Sequence, residues 1–196
     1  MNFRRIVKVS ICLAMLSVST GLWAQNESRW QNVDINQQNR EPRRASFFAY
    51  ESQDKAQGFD KKESANYLSM EGMWKFNFVK DHNKRPAKFF AVNYDDSKWK
   101  DFPVPGLFEL NGYGDATYKN VGYAWATQFD PNPPYISETN NYTGSYRRTF
   151  DLPTDWKGKD VYFHVGSATS NLTLWVNGKY VGYSEDSKVA AEFNIS

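Results

Sequence analysis

Metal and nucleophile chemistry is limited first by supply. The 196 residues contain two histidines, His82 and His164, and a single cysteine, Cys12. Zinc is held by several thiolates, imidazoles or carboxylates brought close together, and two histidines far apart in sequence with no neighbouring thiol do not supply that set. His164, in an otherwise apolar strand pattern, reads as a packed side chain with one nitrogen satisfied. No glycine-rich loop leads into a helix, so phosphate cradling has no support.

Carboxylates are plentiful, with 22 Asp+Glu. Retaining glycoside hydrolysis needs two carboxyl groups about 5 Å apart, flanking the scissile bond. Glu185 and Asp186 are adjacent, and in an extended segment their side chains point to opposite faces, which makes them a poor catalytic pair. Glu109 and Glu138 fall in loop-like sequence and read as solvated acids. A better signal is the loop region of residues 106 to 142, where Tyr118, Asn120, Tyr123, Trp125 and Tyr135 stand close together. Amides both donate and accept hydrogen bonds, and aromatic faces stack on the C–H faces of sugars. Carbohydrate contact therefore competes here with simple aromatic packing.

The elements that would position these groups are strands. Trp74, Phe76 and Phe78 alternate with Lys75, Asn77 and Val79, the period of a strand with one buried face. The same period recurs at Tyr146, Arg148 and Phe150, at Val161, Phe163 and Val165, at Leu172, Leu174 and Val176, and at Phe193 and Ile195. Pro103 and Pro105 cannot donate ladder hydrogen bonds, so that stretch is loop or sheet edge. Asn177-Gly178 between two such runs predicts a type I′ hairpin. No segment has the length and apolar stripe of a long amphipathic helix, and no internal repeat is present. The fold class is all-β, a sandwich or jelly roll. Residues 25–66, without a period, read as an extended leader lying on a domain of residues 67–196.

Composition bounds the rest. With 24 Lys+Arg and a net charge of +2, the chain lacks the concentrated positive field that holds nucleic acid. Arg4, Arg5 and Lys8 precede an apolar run from Val9 to Val18, and small residues lead to Ala24. Residues 1–24 thus read as a secretory signal peptide, the run being shorter than the roughly 18 residues of a membrane span. Export to the periplasm or the extracellular space is expected. Without the three basic residues the balance turns slightly negative. Cys12 leaves with the signal, so stability must come from the core rather than from disulfides.

Several motifs together resemble a known family. Tyr118-Lys119-Asn120-Val121-Gly122-Tyr123, Asn132-Pro133-Pro134, and Glu138, Thr139, Asn140, Thr143, Gly144 and Tyr146 form the first half. Leu174-Trp175-Val176-Asn177-Gly178, Val181 to Ser187 and Glu192-Phe193-Asn194-Ile195 form the second. This pattern resembles the N-terminal sugar-binding domain of glycoside hydrolase family 2 β-galactosidases, from about Arg29 to Ser196. The chain departs from it at Ala124-Trp125 and Asn141-Tyr142, where the family commonly carries proline.

The resemblance implies a jelly-roll β-sandwich whose loops reach the active site of a separate barrel. It implies that Asn120 contacts galactose hydroxyls and that Asp186 accepts bonds from the sugar and helps hold a sodium ion; magnesium belongs to the full-length parent alone. The family's acid/base and nucleophile glutamates lie on a barrel of about 250 residues that these residues do not include, so no catalytic residue is assigned. The resemblance implies the front portion of an exported retaining β-galactosidase, inactive by itself, whose partners are a galactoside and the downstream domains of the same polypeptide. The alternatives are a free-standing carbohydrate-binding module and a ligand-free structural β-domain.

Overall fold

A computed structural model describes residues 29–115, 135–137 and 139–196. Strand β1 is Gln37–Gln38, and a short helix α1, Gln53–Gly58, follows it. The later strands are β2 Gly72–Val79, β3 Lys100–Val104, β4 Thr143–Arg147, β5 Tyr162–Val165, β6 Asn171–Val176, β7 Lys179–Glu185 and β8 Ala191–Asn194. All pairings are antiparallel. One sheet runs β1-β7-β6, a second β3-β2-β4, and β5 pairs with β8. The all-β sandwich expected from the sequence is the fold observed.

Alternation along β2 buries Phe76, which sets the core of the second sheet. Phe76 lies 4.4 Å from Phe102 and 4.8 Å from Tyr146, ring centre to ring centre, and Phe108 and Tyr113 close over it at 5.7 and 4.9 Å. These are tilted and edge-to-face geometries, which aromatic quadrupoles favour over a face-to-face sandwich. β3 is an edge strand that pairs only with β2, Pro103 standing opposite Met73, as its prolines require. β4 differs from its sequence pattern. Pairing ends at Arg147 and the chain leaves the ladder before Phe150. Just beyond, the Arg148 guanidinium donates to the carbonyls of Met70 and Glu71, which precede β2, at 2.8 and 2.9 Å.

The segment between β2 and β3 joins the two three-stranded sheets. Phe90 stacks on Trp175 of β6 at 5.3 Å and 11°, with Phe89 edge-on to the same indole. From the other side Arg147 of β4 reaches the Ala91 carbonyl at 3.0 Å, the Phe89 carbonyl, and Asp96 Oδ2 at 2.8 Å. A charged group half-hidden among rings thus finds acceptors for its Nε and Nη1, as burial favours.

The hairpin from β6 to β7 turns at Asn177 and Gly178, with φ of 51° and 78°, and Val176 pairs directly with Lys179. Both positive φ values are those of the predicted turn. A bulge follows, since Leu174 pairs with Gly182 and Trp175 with Tyr180, leaving Val181 as the extra residue.

Residues 29–66 pair with β7 through β1, and they also hold α1, capped by Ser52 accepting from Lys55 N at 3.3 Å. Six residues are too few to leave a periodic signature. His164 is a correction. It is not packed: its side chain is 47% exposed, and Nδ1 lies 3.0 Å from Glu192 Oε1 on the partner strand. The apolar alternation of β5 runs through its neighbours, so His164 sits on the outward face.

Close approach at Gly182 generates a stability prediction. A Cβ there would meet the Phe193 ring at 2.6 Å and the Gln38 carbonyl at 2.7 Å, whereas one at Gly58 meets nothing within 4 Å. Gly182→Ala is expected to cost about 1–3 kcal/mol by overpacking. Gly58→Ala is expected to stay within about 0.5 kcal/mol. Urea unfolding of the full chain followed by tryptophan fluorescence checks both.

Candidate functional site

Asp186 follows the last residue of β7. Its φ of 102° turns the chain out of the strand, so Glu185 and Asp186 are not two successive residues of one extended segment. Each has its own partner. Glu185 Oε1 accepts from the Tyr183 hydroxyl at 2.5 Å, while Asp186 Oδ2 lies 2.5 Å from Arg43 Nη2.

The leader builds the other half of this site. β1 pairs with β7, Gln37 opposite Ser184 and Gln38 opposite Tyr183, and the Glu185 amide donates to the Asn36 carbonyl at 2.9 Å. Gln38 Oε1 accepts from both Arg29 Nε at 2.6 Å and the Tyr180 hydroxyl at 2.8 Å. Asn39, at a left-handed φ of 53°, swings the chain and reaches the Val181 carbonyl with its amide at 2.8 Å. Residues 40–44 then run past the end of β7 toward β8. There the Glu41 amide donates to the Glu192 carbonyl at 2.9 Å, and Arg44 makes two bonds of 2.7 Å to the Glu192 carboxylate. Both bonds come from one nitrogen, Nη2, so the carboxylate is held by charge-assisted bonds to a single point of the guanidinium.

Two guanidinium groups consequently face Asp186. Arg40 donates to Ser184 Oγ at 3.0 Å and to Gln37 Oε1. Burial lowers its pKa, the like charge of Arg43 lowers it further, and Asp186 opposes both. Beside this cluster lies an open groove of about 410 Å³ lined by Glu41, Pro42, Arg43, Arg44, Phe47, Tyr162 and Glu192. Arg44 sits over the Phe47 ring at 4.2 Å. Phe47 and Tyr162 are 68% and 49% exposed, which leaves aromatic faces open to a ligand.

The leader also holds the loop region. Gln31 brackets Ile136, its Nε2 donating to the carbonyl at 2.5 Å and its Oε1 accepting from the amide at 2.8 Å. Tyr142 donates to Asp115, which keeps its phenol protonated to higher pH. Tyr135 is 63% exposed and Glu109 lies on an exposed single turn, Glu109–Asn111. Tyr118, Asn120, Tyr123, Trp125 and Glu138 lie outside the described residues, as does the segment of residues 1–24. Among the described residues there is no group of three or more His, Cys, Asp or Glu side chains able to hold a metal ion. No helix among them is long and apolar enough to cross a membrane.

Sequence reasoning missed Arg40, Arg43 and Ser184. The available signal was charge complementarity: a cluster of arginines in the leader and the acidic end of β7 are the two halves of one site.

The fold and this strap of leader across the strand ends define a β-sandwich domain. Residues 67–196 match glycosyl hydrolases family 2, sugar binding domain, and the chain belongs to that family through this domain. It is 36% identical over 174 residues to a β-galactosidase of Priestia megaterium, covering 88% of this chain and 17% of that protein. A β-galactosidase of Halalkalibacterium halodurans is 34% identical over 173 residues, 87% of this chain and 17% of that protein. The β-galactosidase large subunit of Leuconostoc lactis is 34% identical over 140 residues, 65% of this chain and 22% of that protein. The chain therefore spans about a sixth to a fifth of the length of these relatives.

Two buried phenols near these strands give a pH prediction. Burial pushes Tyr183 far above the ordinary 10.0, its bond to Glu185 and that carboxylate's charge adding to the rise; burial alone does the same to Tyr146. Raised native pKa values mean that the native state holds these protons more tightly. Their contribution is complete below the unfolded value near 10 and is lost as pH climbs toward the native values. Stability is expected to fall steeply above about pH 10. Absorbance at the phenolate band should show at least these two tyrosines ionising only together with alkaline unfolding, and independent ionisation of Tyr183 in the folded protein would contradict the burial argument.

Proposed function

We propose that this chain is the sugar-binding front portion of an exported β-galactosidase, a retaining glycoside hydrolase acting on terminal β-D-galactosides. The observation that carries the reading is the run of β-galactosidase relatives over 85–88% of the chain. In this proposal Asn120 and Asp186 contact the galactose, and the two catalytic glutamates come from a downstream barrel of the same polypeptide. Asp186 suits its part: a carboxylate is a pure acceptor, able to take bonds from two sugar hydroxyls. Its position just beyond β7, with φ of 102° and a side chain 39% exposed, supports access by a ligand. The groove walled by Phe47 and Tyr162 supports a carbohydrate next to it.

Sodium rests on the resemblance alone. The described groups around Asp186 are one carboxylate and two guanidiniums, which do not make a cation site, so no step is derived through a metal. Magnesium has no place in these residues. Export rests on the pattern of residues 1–24, and residues 25–196 by themselves are proposed to be inactive.

The reading is tested on the full-length protein recovered from the culture medium or the periplasm. Hydrolysis of a chromogenic β-galactoside is expected there. Asp186→Ala is expected to raise KM by about tenfold or more, which corresponds to losing roughly 1.4 kcal/mol of hydrogen bonding to the sugar. An exported protein that ignores β-galactosides, or an Asp186→Ala variant with unchanged KM and intact fold by circular dichroism, would refute it.

A further inference from the structure

We infer that Arg43 takes the place of a metal cation at Asp186, so that this site handles its sugar without sodium. The inference rests on the proposed role of Asp186 in galactoside contact, and it deepens that role by naming the counter-charge.

Three observations converge. Arg43 Nη2 stands 2.5 Å from Asp186 Oδ2, a contact in which a fixed positive charge already sits on one carboxylate oxygen. Arg40 adds a second guanidinium held in place by Ser184 and Gln37, so the three charged groups together are net positive. Two neighbouring carboxylates are committed elsewhere, Glu185 to the Tyr183 hydroxyl and Glu192 to Arg44 and His164, while Glu41 lines the groove beside Arg43. A hard cation takes several oxygen ligands. At this strand end it would meet one half-occupied carboxylate and the repulsion of two arginines.

The backbone explains why Arg43 is there at all. The strap formed by residues 36–44 is bonded to β7 through Asn36 and β1 and to β8 through Glu41, and Arg43 follows two residues after the second anchor. Its course is set by that main-chain bond before it and by the Arg44 side chain on Glu192 after it, not by the ion pair alone. A guanidinium also leaves Asp186 Oδ1 free to accept from a sugar hydroxyl, because a carboxylate has about four lone-pair directions and Arg43 uses one oxygen. Arg43, which holds this carboxylate, also lines the groove walled by Phe47 and Tyr162. Arg43 is therefore a positioning residue: it neutralises and orients the acceptor, and the sugar contacts Asp186.

The test uses the full-length protein, with isopropyl β-D-thiogalactoside as a non-hydrolysed probe. Binding is measured by calorimetry in sodium chloride and in choline chloride at matched ionic strength, and the ²³Na linewidth is followed as protein is added. The wild type is expected to bind with the same Kd in both salts within about twofold, and to leave the ²³Na line unbroadened. Arg43→Met is expected to bind about tenfold more weakly in choline than in sodium, with the ²³Na line now broadened; Arg43→Lys, which keeps the charge, should restore indifference to the salt. A wild-type protein that needs sodium, or an Arg43→Met variant that remains indifferent to it, overturns the inference. Asp186→Asn separates the two layers. If it leaves Kd unchanged in both salts, the sugar contact itself is refuted and the counter-charge falls with it; if it weakens binding while Arg43→Met gains no sodium dependence, only the counter-charge falls.

Discussion

The architecture around the strand ends depends on the absence of a side chain at Gly182. There the Phe193 ring of β8 and the Gln38 carbonyl of the leader both come within 2.7 Å of where a Cβ would stand. Any larger residue would push apart the three strands that meet at this point. Because they can meet, Phe193 is fully buried and Tyr183 nearly so, and β1 lies close enough to β7 to pair with it. The leader's course past Asp186 follows from that pairing. Arg40 and Arg43 reach the end of β7 because Gln37 and Gln38 are already in register with Ser184 and Tyr183.

A chain whose single cysteine is Cys12 must hold such a leader by many weak contacts. Backbone pairing, the Arg44–Glu192 pair, the Gln31 bracket on Ile136 and the edge-on contact of Trp30 with His82 at 4.8 Å share that work. Each is modest by itself, since exposed ion pairs contribute little. Together they make the leader part of the domain surface. The aromatic cluster around Phe76 supplies the larger apolar burial, and the Phe90–Trp175 stack carries it across to the other sheet.

What the sequence revealed follows from which forces leave local signatures. The alternation at Trp74, Phe76 and Phe78 marks β2 because one buried face imposes a period of two, and Asn177-Gly178 marks its turn because few residues accept positive φ. Phe150 misled for a related reason: its spacing continues the alternation of β4, but alternation does not show where a partner strand ends, and pairing with β2 stops at Arg147 opposite Lys75. His164 misled because its strand looked apolar on both sides of it, and only the pairing with Glu192 shows that it faces outward. The leader was illegible in a deeper sense. Arg43 and Asp186 are distant in sequence, and although the leader's arginines and the acidic end of β7 are complementary in charge, no period or spacing says that they pair.

The backbone at the end of β7 also limits what Glu185 and Asp186 can do together. Two carboxylates working on one glycosidic bond must face each other across it. In this domain the adjacent Glu185 and Asp186 are turned apart by the backbone, one tied to a buried phenol and the other to a guanidinium. Freeing Glu185 would strand the Tyr183 hydroxyl in the core without its partner, a cost that buried polar groups rarely meet. Freeing Asp186 would leave Arg40 and Arg43 facing one another with no anion between them. The strand end thus holds the two acids apart, each on its own partner, in a domain that matches the sugar binding domain of glycosyl hydrolases family 2.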